Sequence, residues 1–211
     1  MTLTSGTRRR ILLGLSGASL LGASALFVKF TMGTRVDFQP APEDFCIVAS
    51  APFAQAHPWD PTSGLGQYDA RPVPAQARCP VCGMYPARHP AWAAQLIFTD
   101  GSAHFFDSPV DLLLFLEAPA RFDPEHSVAD VAVIHVTDHG SRQWTDGRHA
   151  YVVLGSGVHG PMRGPDLPAF ADPAAAMAFS QQHGGQAVRL TDIDTQTLAR
   201  LRDGLHGGTP Q

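Results

Sequence analysis

The stretch Cys79-Pro80-Val81-Cys82-Gly83-Met84-Tyr85-Pro86 brings three sulfur atoms into six residues of a 211-residue chain that has only three cysteines and five methionines. Thiolate and thioether are soft donors, the combination that suits monovalent copper. Gly83 gives the backbone freedom to turn the Cys82 and Met84 sulfurs toward one point. Pro86 and Pro90 follow within eight residues of Cys82. Each proline removes a helical hydrogen bond and crowds the preceding turn, at a cost of about 3 kcal/mol. No sustained helix is therefore expected after Cys82, which argues against a thioredoxin-type pair, where a helix N-terminus lowers one thiol's pKa.

Downstream, short strands alternate with short helices. Residues 93–99 read as a strand, and Asp100-Gly101 predicts a two-residue type I′ turn into a returning strand at 102–106. Ser108-Pro109-Val110-Asp111 predicts a helix start with Ser as N-cap, Pro at the first helical position and an acid in the first turn. Pro119 ends it. A second set follows: a strand at 131–137, a turn at 144–147 and a strand at 150–154. A glycine-rich loop carries Met162, and Asp172-Pro173 opens a helix that stops at Gly184-Gly185. A strand at 186–190 and an amphipathic helix at 195–205 close the chain. The expected class is α+β. Phe105-Phe106-Asp107-Ser108-Pro109 resembles Ala169-Phe170-Ala171-Asp172-Pro173, and Cys82-Gly83-Met84 has a weak counterpart in Gly160-Pro161-Met162. These echoes predict two small homologous β-β-α type units, residues 78–125 and 126–206, within one domain of residues 78–206. A true duplication would put Met84 and Met162 at equivalent points.

Upstream, Arg8-Arg9-Arg10 precedes an uncharged apolar run from Ile11 to Val28. A basic segment followed by an apolar one is an export signal, and the run is also long enough to span a bilayer, for which roughly 17–25 residues suffice. Residues 1–33 are thus expected to be a signal or a membrane anchor, placing the rest of the chain in the periplasm, either released or held to the inner membrane by residues 11–28. Residues 34–77, with seven prolines, read as an irregular spacer with a short strand at 45–48. A net charge of -4 gives no reason to expect nucleic-acid binding.

Cys46, Cys79 and Cys82 are an odd number, so full disulfide pairing within the chain is excluded and at least one functional thiol is expected. A structural zinc knuckle wants four N or S ligands, and no second C-x-x-C accompanies the first. His135 and His139 fall at a strand end rather than on one helix face. Met162 stands on a glycine- and proline-rich loop, whereas Met177 sits in the apolar run 174–179 expected of a core methionine. The residue reading leaves three alternatives: a copper(I) site, a thiol–disulfide oxidoreductase using Cys79 and Cys82, and a metal-binding module with structural zinc.

The run 79–86, with Trp92-Ala93-Ala94-Gln95 and Phe98-Thr99-Asp100-Gly101, resembles the NosL family. Ala150-Tyr151-Val152-Val153 and Gly155-Ser156-Gly157-Val158-His159-Gly160-Pro161-Met162 are similar to that family's second half. The resemblance covers residues 78–190. It implies an exported copper chaperone, not an enzyme, that serves nitrous oxide reductase, with copper(I) held by Cys82, Met84 and, as distal ligand, Met162. His89, His104 and His159 are the nearest candidates for an additional ligand. Family members are typically lipoproteins, but no cysteine ends the signal here, so the apolar run itself is the candidate anchor.

Overall fold

The computed structural model describes residues 55–206. The signal or anchor, the strand expected at 45–48 and Cys46 lie outside the described residues. Among the described residues, no helix is long and apolar enough to cross a membrane.

β1 (Ala94–Phe98) and β2 (Ala103–Phe106) form an antiparallel hairpin. Its loop is not the two-residue turn expected from Asp100-Gly101. Phe98 N–H donates to the Ser102 carbonyl at 2.8 Å, and only Gly101 adopts positive φ, +89°. The result is a three-residue loop with glycine at its left-handed position.

α1 (Pro109–Glu117) starts as its sequence predicts, the Ser108 hydroxyl accepting the Asp111 N–H at 3.2 Å. β3 (Val131–Thr137) returns beside β1, and β4 (Trp144–Asp146), where only a turn was expected, adds to β3. The first sheet therefore runs β2-β1-β3-β4.

The second sheet has β5 (Tyr151–Leu154) at its centre, between β6 (Ala169–Phe170) and β7 (Gln186–Arg189). α2 (Pro173–His183) joins β6 to β7, capped by Asp172 and ended at Gly184 with φ +76°. α3 (Thr195–His206) closes the described chain. One core, including Leu96, Phe106, Phe115, Val152 and Leu198, runs beneath both sheets.

Three expectations change. The strand at 131–137, assigned to the second unit, belongs to the first sheet, because its centre pairs with the free edge of β1. Met162 lies in the connection from β5 to β6, whereas Met84 precedes β1, so the two methionines are not at equivalent points. Met177 is 51% exposed rather than in the core, because α2 buries only Ala176, against Val153 and Phe170.

Residues 55–77 are irregular, as expected of a spacer, but they pack on the first sheet. His57 exchanges two backbone hydrogen bonds of 2.8 Å with Ala103. The buried Gln95 amide accepts the Arg71 N–H at 3.0 Å and donates to the Arg71 carbonyl at 3.1 Å, imitating a strand partner. Val73 and Ala77 cover Ile97 and Phe105. This second cover explains why every residue of β1 is buried and why its sequence shows no alternation.

Candidate metal centre

The C-x-x-C stretch folds as a tight turn. Gly83 N–H donates to the Cys79 carbonyl at 2.9 Å, and Cys79 N–H donates to the Met84 carbonyl at 2.8 Å. Gly83 has φ +75°, which glycine adopts without strain, so the turn closes within six residues. Only a three-residue 3-10 turn, Pro86–Arg88, follows, so no helix N-terminus lies over the thiols from that side.

Both thiols point inward to the start of α1. Cys79 Sγ donates to Asp111 Oδ2 at 3.3 Å, and Cys82 Sγ donates to Asp107 Oδ1 at 3.0 Å. Candidate ligand atoms of these four residues all lie within 4.8 Å of one another. Cys79, Asp107 and Asp111 are buried, while Cys82 is partly exposed; both cysteines are free thiols.

Among the described residues, no cation pairs with Asp107 or Asp111, and Asp107 Oδ2 is buried with no hydrogen-bond partner. Uncompensated buried carboxylates are costly, so such a group holds protons or a metal ion. Burial, then the nearby Asp107 charge, pushes the Asp111 carboxyl up to about 7. Burial pushes the Cys79 thiol up, and hydrogen bonding with Cys79 followed by burial does the same for Cys82. Both thiols are therefore protonated near neutrality until something displaces the proton.

Met162 reaches this region from the other sheet. With Val81, Cys82, Asp111, Leu114 and Phe122 it lines a cleft of about 370 Å³. Its loop closes through Arg163 N–H to the Gly160 carbonyl at 2.9 Å and Gly160 N–H to the Gly164 carbonyl at 3.0 Å. Beneath lies Asp166, 2% exposed, whose Oδ1 accepts the Leu167 N–H at 2.8 Å while Oδ2 has no hydrogen-bond partner among the described residues. A Cβ on Gly160 would fall on that carboxyl, so only glycine lets the loop sit this close.

The structure thus brings Cys82 and Met162 to one cleft. Met84 ends the sulfur turn half-buried and does not line the cleft. None of the histidine candidates lines it either. His104 is buried and engaged with Asp123 at 2.8 Å, His89 follows the 3-10 turn, and His159 is exposed at the base of the Met162 loop. A larger cavity, about 480 Å³, lies at the closed end of the β1–β2 hairpin, where His126 already pairs with both Asp100 and Asp123.

Sequence reasoning missed Asp107 and Asp111, which read simply as helix-start residues. The available signal was their setting: they are the only acids between Ala103 and Leu116, a run otherwise apolar apart from His104 and Ser108.

Asp166 yields a stability test. Burial raises its carboxyl to about 8 from a usual 3.8. Between those values the unfolded chain has released the proton and the folded chain keeps it, so stability falls as pH rises, by up to about 1.4 kcal/mol per pH unit. Asp166→Asn is expected to flatten that slope, read from urea midpoints of the metal-free full chain between about pH 5 and about pH 8. An unchanged slope would show that Asp166 is ionised in the fold.

The NosL family model matches residues 70–198. The copper-binding lipoprotein NosL of Stutzerimonas stutzeri is 30% identical over 138 residues, which span 62% of this chain and 68% of that protein. The crystal structure of the copper chaperone NosL from Shewanella denitrificans superposes with a TM-score of 0.50 at 26% identity, covering 61% of this chain and 97% of that one. With a family match across both sheets and the sulfur turn, the chain belongs to the NosL family.

Proposed function

We propose that this protein is a copper(I) chaperone, not an enzyme, that carries the ion outside the cytoplasmic membrane and hands it to a cuproenzyme, nitrous oxide reductase. The ion is cargo, held by the Cys82 thiolate with the Met84 and Met162 thioethers. The observation that carries this reading is the convergence of Cys82 and Met162 on one cleft from two different sheets. Soft donors at a partly open cleft suit an ion that must be released, since an incoming ligand can bind before a resident one leaves. The copper-binding and chaperone descriptions of the two relatives support the same reading. Met84 is two residues from Cys82 on the same turn, its carbonyl accepting the Cys79 N–H at 2.8 Å. Residues 11–28, outside the described residues, serve as signal or inner-membrane anchor in this reading.

The two halves are also read as a duplication, with the unit enlarged to β-β-α-β. The orders β2-β1-β3 and β6-β5-β7, each with a capped helix after the hairpin, support it.

The test is a copper(I) titration of the reduced full chain against a competing chelator. Met162→Leu and Met84→Leu are each expected to weaken binding about tenfold or more, the lower bound for perturbing a metal's surroundings. Wild-type affinity in both would remove the thioethers from the site. A second reading, a closed Cys79-Cys82-Asp107-Asp111 zinc site, is favoured by the mutual proximity of those four groups. It predicts purified protein containing zinc, with Asp111→Asn and Cys79→Ser losing it and the methionine variants retaining it.

A further inference from the structure

The cationic groups around the cleft form a pattern that copper binding alone does not require. Lys29 is the only lysine in the sequence, so every permanently cationic side chain from residue 55 to 206 is an arginine. Arg121 and Arg202 line the cleft itself. Arg163 follows Met162 directly and is held exposed at φ +62°. On the sulfur turn, Arg78 donates to the Gly83 carbonyl at 2.8 Å and lies 4.0 Å from the Tyr85 ring centre. Arg88 lies 4.5 Å from that same ring.

Against these five arginines stand three acids: Asp111 on the cleft wall, whose carboxyl is pushed up to about 7, Glu117 and Asp203. Glu117 is part of the cleft wall, and Asp203 pairs with Arg202 at 3.4 Å. Among the described residues, Arg78, Arg88, Arg121 and Arg163 have no carboxylate partner. A chain of net charge -4 thus carries arginines on the cleft wall and on both turns that supply its sulfurs.

We propose that this arginine collar is the docking surface for a protein partner that presents a soft-donor side chain on an acidic segment. The inference rests on the copper-chaperone reading above and names the chemistry of the partner. Charge complementarity selects the occupant: guanidiniums preorganised on aromatic rings pair with carboxylates more readily than mobile ammonium groups do. Within the collar, Val81, Leu114 and Phe122 give the cleft apolar walls. An apolar centre with an arginine rim is the anatomy of a protein interface. A concave cleft with its cargo inside admits a protruding peptide segment, whereas a flat anionic membrane would meet only the rim. In the transfer, copper(I) keeps its oxidation state, exchanges its bonds to this chain's sulfurs for bonds to the partner's donors, and the Cys82 thiolate takes up one proton.

The experiment uses the full chain loaded with copper(I) and two synthetic peptides with the same methionine–histidine donor centre, one flanked by aspartates and the other by lysines. Transfer to the aspartate peptide is expected to be at least about tenfold faster at roughly 20 mM salt, the two rates converging near 500 mM as screening removes steering. The double variant Arg88→Gln/Arg163→Gln is expected to cut that preference about threefold or more, its chelator-measured copper affinity matching wild type. Equal rates at low salt, or faster transfer to the lysine peptide, would overturn the proposal. So would arginine-dependent sedimentation with phosphatidylglycerol vesicles accompanied by no peptide preference. If the wild-type chain fails to bind copper(I), the chaperone reading falls by itself. Anisotropy of the labelled peptides on the metal-free protein then still decides the collar.

Discussion

Cys82→Ser is expected to lower copper(I) affinity by at least about a hundredfold, beyond the upper end of what changes around a metal ligand cost. A serine hydroxyl is a hard donor that stays protonated, so it offers copper(I) neither charge nor polarisable sulfur. The same variant separates two roles for the buried pair. In the wild type, hydrogen bonding and burial hold the Cys82 thiol protonated, and copper binding at the proposed site would expel that proton. Affinity is therefore expected to rise by about tenfold per pH unit near neutrality, in proportion to the proton released. Chelator competition across the neutral range should show that dependence in the wild type and lose it in Cys82→Ser. Cys79→Ser is expected to have a smaller effect, because Cys79 is fully buried beneath the turn and does not line the cleft. If Cys79→Ser instead matches Cys82→Ser, the cargo sits lower, among the carboxylates.

Phe115→Ala is expected to lose about 3–5 kcal/mol of stability, the usual range for emptying a buried phenylalanine site. Phe115 is fully buried, its ring centre 5.2 Å from His104, 5.4 Å from Phe106 and 5.9 Å from Phe122. It ties α1 to the first sheet and backs Phe122, a wall of the cleft that Cys82 and Met162 share. Against a total stability of about 5–15 kcal/mol, the loss is large enough to leave a fraction of the chain unfolded. Urea denaturation of the full chain checks it. The midpoint should fall with the slope unchanged, and a shift of less than about 1 kcal/mol would mean the cluster repacks around the gap.

The elements legible in the sequence were those set by local chemistry. Ser108-Pro109, Asp172-Pro173 and Gly184 start or stop helices through interactions within one turn, and they appear where read. The 131–137 strand was equally clear. Partner choice was not legible: nothing in Val131–Thr137 tells it to pair with β1 rather than to begin a second unit. The site divided the same way. Cys82 and Met162 could be singled out by donor chemistry and by their glycine-rich settings. Asp107 and Asp111 could not, since an acid at a helix start is ordinarily explained by the cap and dipole. Their proximity to the thiols exists only once the sulfur turn folds over α1.

The attachment of residues 55–77 to the first sheet bears on reach. Had the irregular stretch run free to Arg78, some twenty residues, about 70 Å of extended chain, would separate His57 from the fold. The His57–Ala103 and Arg71–Gln95 bonds lay that length down against the fold. From His57 onward the chain therefore adds no free length between the fold and what precedes it. Replacing Gln95 by an apolar residue would free the backbone at Arg71 but not at His57, whose two bonds to Ala103 would still hold the stretch against the sheet.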